Sequence, residues 1–137
     1  MPPNAESQDP QNPQFALLRH ELSPEQQRRL QRQSHWDLLL QREDRLLAWA
    51  LEGNPLLVPG RHRAHPLPDH RLVYLDFEGP LSADRGSVTR WDRGPLEWLE
   101  SPAGHWMAQI EGSRANGQLS LVPSQRGFWW LSFAPAN

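Results

Sequence analysis

The stretch Ser34–Leu51, SHWDLLLQREDRLLAWAL, decides the fold expected from this sequence. Its first half alternates with a period of two, which is the period of a β-strand. His35, Asp37 and Leu39 share one face of that strand, and the opposite face is apolar. A polar turn and a second apolar run, Leu46–Leu51, follow. The stretch therefore predicts a β-hairpin with two candidate ligands at one end of one face.

Before this hairpin, the sequence predicts a tail, a strand and a short helix. Residues 1–14 are rich in Pro, Asn and Gln, and they have too few apolar side chains to offset the entropy cost of ordering, so we expect a flexible tail. Residues 15–22 alternate loosely and form the first expected strand. Ser23, Pro24 and Gln26 then supply an N-cap, a first-turn proline and a capping-box partner. These signals predict a helix over 24–33.

After the hairpin, short strands are expected to alternate with turns. Residues 52–68 contain many Pro and Gly residues and predict a long loop. Strands are expected at 70–78, 86–92, 96–100, 106–111, 118–122 and 128–133. This regular spacing predicts a mainly β fold, a small antiparallel β-barrel of about eight strands with one short helix. Residues 15–137 are expected to form a single domain.

Composition excludes several classes of function. The net charge of −2 argues against the broad basic surface that binds nucleic acid non-specifically, so any anion site must be local. All 14 basic residues are Arg, which favours bidentate recognition of phosphate or carboxylate. The absence of Cys excludes disulfides, thiolate metal sites and Cys nucleophiles. With no apolar run long enough to span a membrane, we expect a cytoplasmic protein that has no membrane partner.

Two groups of residues could carry chemistry. His20, His35 and Asp37 offer imidazole and carboxylate ligands from two neighbouring strands, which suits a divalent metal. On the residues alone, a hydrogen-bonded His–Asp pair without metal is the commoner explanation. His70 and Tyr74 lie four residues apart, where His could transfer a proton and Tyr could hold a phosphate oxygen. A packed Tyr beside a solvated His is the alternative.

Several arginines near strand ends are candidates for phosphate contacts, although charges at strand ends are more often simply solvated. These candidates are Arg19, Arg61, Arg63, Arg71 and Arg90.

Four stretches resemble, in order, the successive motifs of the 3′-phosphoesterase domain of bacterial DNA ligase D and of stand-alone proteins similar to its N-terminal part. They are RHELSPEQQRRLQRQSHWDLLL (19–40), LLAWAL (46–51), PDHRLVYLDFEG (68–79) and RGSVTRWDRG (85–94). The likeness covers most of residues 15–133. It implies a small β-barrel with helical additions and a divalent metal, preferably manganese. It also implies removal of ribonucleosides and phosphates from DNA 3′ ends.

The resemblance also implies roles for individual residues. His20, His35 and Asp37 match the family's metal-site residues, and His70 and Tyr74 match the His and Tyr that serve the metal and the phosphate. DNA 3′ ends are the implied partner. Because a ligase or a polymerase does not fit in 137 residues, those activities are expected from separate repair chains.

The sequence departs from the family pattern at two positions. Leu39 stands where the family has a phosphate-binding Arg, and Gly53 stands where it has a Lys. The Arg of the following loop corresponds to Arg61 or Arg63. We expect Leu39 to point into the active-site cavity, since it shares a strand face with Asp37.

Three functions remain open at this point. The first is a metal-dependent DNA 3′-end phosphoesterase weakened at residues 39 and 53. The second is a catalytically degenerate barrel that binds DNA ends or a repair partner. The third is a structural module with an empty site.

Overall fold

Eight strands pair in a closed antiparallel ring in the computed structural model, which describes residues 9–136. The ring order is β1-β2-β3-β4-β9-β8-β7-β6, and β6 pairs back to β1. The two-residue strand β5 pairs with the start of β6. The elements are β1 (Gln14–Glu21), α1 (Pro24–Leu30), β2 (His35–Arg42), β3 (Arg45–Leu51), β4 (Arg61–Arg71), β5 (Gly79–Pro80), β6 (Ser87–Leu99), β7 (Trp106–Glu111), β8 (Asn116–Pro123) and β9 (Trp129–Pro135). The expected eight-strand barrel with one helix is confirmed.

Two apolar clusters lie on opposite faces of the barrel wall. The larger one takes side chains from all eight strands of the ring, Leu38 and Leu40 among them, and therefore fills the interior. The smaller one covers the outer face of β1, β2, β3 and β6, and includes Leu39. Its outer layer comes from the segment 72–81, which contains the 3₁₀ turn Leu72–Leu75. The alternation expected for β2 is confirmed.

The helix α1 links β1 to β2 and forms as its capping signals predict. The Ser23 side chain accepts a hydrogen bond from the Gln26 backbone N–H, and the Gln26 side chain accepts one from the Ser23 N–H. The helix ends at Leu30, three residues before the expected end, because Gln31 adopts the left-handed conformation with a φ of 51°. No residue of α1 is buried. Gln26 and Arg29 attach the helix to the turn at Asp84.

The region 52–78 differs from expectation. Strand β4 begins at Arg61, inside the segment expected to be a loop, and it ends at Arg71, so the strand expected over 70–78 is wrong. Pro66 and Pro68 are tolerated because β9 pairs only with residues 61–64 of β4, which leaves one edge of the later residues unpaired. A proline on a free edge removes no ladder hydrogen bond.

The WDRG stretch is part of one long strand rather than the end of a short one. β6 runs without a break from Ser87 to Leu99, so the two strands expected over 86–92 and 96–100 are one strand. Gly94 is needed for close packing, since a Cβ there would lie 2.1 Å from the carbonyl oxygen of Glu111. Buried Asp92 accepts backbone N–H bonds from residues 93, 113, 114 and 115. These residues therefore stabilise the β7–β8 turn.

Residues 9–14, which fall within the expected tail, contact the barrel. Gln14 is the first residue of β1. The Asp9 carbonyl accepts a hydrogen bond from the Gln41 side chain, and the Pro13 carbonyl accepts one from the Leu96 N–H. The rest of the expected tail, residues 1–8, lies outside the described residues. None of the helices in residues 9–136 is long and apolar enough to cross a membrane.

Candidate metal centre

Strand register brings His20, His35 and Asp37 together on the outer face of the barrel. His20 on β1 is the direct cross-strand partner of His35 on β2, and the centroids of their rings are 4.6 Å apart. Asp37 follows two residues after His35, on the same face. All three are buried, and their ligand atoms lie within 4.8 Å of one another. Across residues 9–136, no other group of His, Cys, Asp or Glu side chains is close enough to hold a metal.

The Asp37 carboxylate lies between the two imidazole rings. Its Oδ2 is 3.2 Å from His20 Nδ1, and its Oδ1 is 3.1 Å from His35 Nε2. Burial raises the pKa of Asp37, but when both His rings are protonated on the nitrogens that face it, their hydrogen bonds and positive charge outweigh burial and hold this pKa well below its usual range. Asp37 is therefore ionised at neutral pH.

The outer nitrogen of each ring faces a backbone carbonyl. His20 Nε2 is 2.7 Å from the Arg85 oxygen, and His35 Nδ1 is 2.9 Å from the Gln33 oxygen. Because a carbonyl only accepts, each of these ring nitrogens carries the proton, and in a neutral ring the other nitrogen presents a lone pair to Asp37. Two lone pairs and a carboxylate then converge on one point.

This arrangement lacks positive charge. His35 Nε2 and Asp37 Oδ1 are buried without a hydrogen-bond partner that meets normal geometry. Either both rings take a second proton or a cation lies among the three side chains. Two imidazoles, each oriented by a backbone carbonyl, and one carboxylate form a donor set that suits a divalent transition metal. The residues present therefore fit the metal that the resemblance implies.

A cavity of about 370 Å³ opens beside the triad and also contains the second group of candidates. His20, Asp37, His70 and Tyr74 all line it, whereas His35 does not. The His70 and Tyr74 rings meet edge to face, 5.6 Å apart. Tyr74 comes from the 3₁₀ turn rather than from the expected strand. Both predicted groups therefore meet in one pocket, although the expected secondary structure of the second group is wrong.

Of the five arginines proposed for phosphate, Arg71 lines this pocket, and Arg19, Arg61, Arg63 and Arg90 do not. Arg19 pairs with Glu21 and lies over the Trp36 ring, because alternation along β1 turns it away from His20. Arg61 and Arg63 lie over aromatic rings where β4 pairs with β9.

Three arginines line the pocket, and all are exposed: Arg32, Arg71 and Arg85. Arg71 was among the candidates from sequence, but Arg32 and Arg85 were missed. They lie in the connections after α1 and before β6, whose positions depend on the tertiary fold. The Arg29 and Gln26 contacts to Asp84 bring these connections together, and nothing local in the sequence signals that approach.

Leu39 does not face the cavity as expected. It lies on the Asp37 side of β2, but it is fully buried in the outer apolar cluster and does not line the pocket. The segment 72–81 covers it. Gly53 lies just after β3 and also does not line the pocket.

Residues 26–123 match the family described as the DNA ligase D 3′-phosphoesterase domain. The chain belongs to this family. The match includes His35, Asp37, His70 and Tyr74, and His20 lies just before it. Family membership supports a phosphoesterase-like role in DNA repair.

Curated relatives of the chain are much longer proteins. It is 30% identical over 129 residues to the multifunctional non-homologous end joining protein LigD of Pseudomonas aeruginosa, covering 88% of this chain and 15% of that protein. It is 30% identical over 114 residues to LigD of Mycobacterium bovis and to the DNA repair protein LigD of Mycobacterium tuberculosis, covering 77% of this chain and 15% of each. The chain thus spans 15% of the length of these relatives.

Proposed function

We propose that this protein is a metal-dependent phosphoesterase that removes a 3′-phosphate or a 3′-ribonucleotide from DNA ends. The observation that carries the proposal is the buried Asp37 carboxylate facing two imidazole lone pairs beside an arginine-lined cavity. Family membership supports the substrate class. The relatives are named for end joining, so we propose DNA 3′ ends, and separate ligase or polymerase chains that process them, as partners.

We propose that His20 Nδ1, His35 Nε2 and the Asp37 carboxylate hold the metal, with manganese preferred as the resemblance implies. A divalent metal bound there polarises a phosphate oxygen and stabilises the charge that develops on it. The carbonyls of Arg85 and Gln33 fix the orientation of the two rings, which keeps both inward nitrogens available as ligands.

The remaining pocket residues have separate tasks in this proposal. Arg32, Arg71 and Arg85 supply positive charge for a phosphate, and guanidinium groups suit phosphate recognition. His70 Nδ1 lies 2.8 Å from the Pro68 carbonyl oxygen and donates to it, so Nε2 is the ring atom free to exchange a proton. The Tyr74 hydroxyl can donate to a phosphate oxygen.

A second candidate is a barrel that binds DNA ends with little turnover. The observation that favours it is the full burial of Leu39 in an apolar cluster, at the position where the resembling family carries a phosphate-binding Arg. Removing one charge-assisted contact to a reacting phosphate costs about two to three powers of ten in rate.

The test compares Asp37→Asn with Asp44→Asn, an exposed aspartate of the β2–β3 turn. Each protein is incubated with saturating Mn²⁺ and a primer-template that ends in a 3′-phosphate or a 3′-ribonucleotide. Wild type and Asp44→Asn should trim the ends at equal rates, and Asp37→Asn should be at least about a hundredfold slower. A wild type inactive on both ends would refute the phosphoesterase proposal and favour the end-binding candidate.

A further inference from the structure

A second surface of the barrel combines arginine and aromatic side chains. The Arg61 guanidinium lies 3.8 Å from the centroid of the Trp130 ring, and that of Arg63 lies 5.1 Å from the centroid of Phe128. The Phe128 and Trp130 rings contact edge to face at 5.0 Å. We call these four residues the Arg–Trp face. It lies where β4 pairs with β9, away from the metal centre.

This face carries unneutralised positive charge in a chain whose net charge is −2. The ion pairs between arginine and carboxylate among residues 9–136 all involve other arginines. The stretches 53–68 and 112–137, which supply the face, contain no Asp or Glu. Arg126, in the loop before β9, adds a further charge beside Phe128 and Trp130. The face is therefore a local concentration of positive charge.

The outer side of β4 connects this face to the cavity. Residues 61, 63, 65 and 67 alternate onto the same side of the strand, and Leu67 lines the cavity. The four residue-to-residue steps from Arg63 to Leu67 span about 13 Å. His65 lies between them, with its ring 6.4 Å from that of Phe128. An unpaired DNA strand that passes the cavity can run along β4 to the Arg–Trp face.

We propose that the Arg–Trp face binds unpaired nucleotides of the template strand, which extends beyond the primer 3′ end held in the cavity. The assignment of the end to the cavity rests on the proposed function. Aromatic rings stack on bases regardless of sequence, and arginines contact the phosphates between them. Bases in a duplex are already stacked, so the face selects single-stranded DNA.

The test measures binding of a fluorescent oligonucleotide of about twelve thymidines, without metal, by anisotropy at several salt concentrations. Trp130→Ala should weaken binding about tenfold. Arg61→Gln combined with Arg63→Gln changes only exposed side chains, and it should lower the slope of log K against log salt by about 1.4, or about 0.7 for each lost phosphate contact. The matched control is Arg114→Gln, an exposed arginine over Trp91 near the other end of β8, which should bind as wild type does.

The outcomes separate this inference from the proposed function. Asp44→Asn should bind the oligonucleotide as wild type does, because this exposed turn residue belongs neither to the face nor to the cavity. An inactive wild type that binds through Arg61, Arg63 and Trp130 would refute the phosphoesterase and support the face. Unchanged affinity and salt slope in the double arginine variant would overturn the inference. Equal affinity for a blunt duplex and for the single strand would also overturn the inference.

Discussion

Two buried aspartates on the barrel have opposite surroundings. Asp92 on β6 faces four backbone N–H groups, all of them donors, so its carboxylate is fully satisfied by the protein. Asp37 on β2 faces two His nitrogens whose partner nitrogens already donate to backbone carbonyls. The comparison teaches that burial of a carboxylate does not by itself indicate function. The hydrogen-bonding character of the facing atoms separates a structural carboxylate from a ligand.

The largest expected effect comes from a residue beside Asp37. Leu39→Arg should destabilise the protein by about 3 to 5 kcal/mol, because it places an unpaired charge in the fully buried outer cluster. The same change at Leu57, which is 68% exposed, should alter the free energy of unfolding by less than about 0.5 kcal/mol. Urea denaturation measures both. A stable Leu39→Arg protein with faster turnover would show that this position belongs to the pocket after all.

The next effect tests the structural aspartate. Asp92→Ala leaves four backbone N–H groups without their acceptor and should lower the free energy of unfolding by about 3 kcal/mol. The exposed control Asp44→Ala should stay within about 0.5 kcal/mol of wild type. Denaturation midpoints and slopes give both values. If Asp92→Ala and Asp44→Ala have the same free energy of unfolding, the structural role assigned to Asp92 is wrong.

Local patterns in the sequence predicted a large part of the fold. The alternation in β2 separates Leu38 from Leu39 correctly, and the capping box starts α1 at Pro24. Strand β7 has the expected bounds. These features depend on residues close together in the chain, so a sequence can reveal them without knowledge of the tertiary structure.

The errors share a tertiary cause. Pro66 and Pro68 indicated a loop because the free edge of β4 is visible only once its neighbours are placed. Leu39 was expected in the cavity because nothing local shows that residues 72–81 cover it. The approach of Arg85 to the pocket depends in the same way on packing between segments distant in sequence.

The candidate site was identified more completely than the surface around it. The residues alone suggested that His20 and His35 offer ligands from neighbouring strands, and the family resemblance implied that they are metal ligands. In the structure the two residues are cross-strand partners. The WDRG stretch is part of that resemblance, yet its buried aspartate supports a turn. Resemblance to a family motif therefore did not separate structural residues from ligands.

Calorimetric titration with Mn²⁺ tests the central claim most directly. Wild type and Asp44→Asn should each bind one ion, and Asp37→Asn should bind it about a hundredfold more weakly or not at all, because an amide supplies no charge between the two imidazoles. His35→Ala should show the same loss, because it removes a ligand. Identical titrations of wild type, Asp37→Asn and His35→Ala would contradict the assignment of a metal centre to His20, His35 and Asp37.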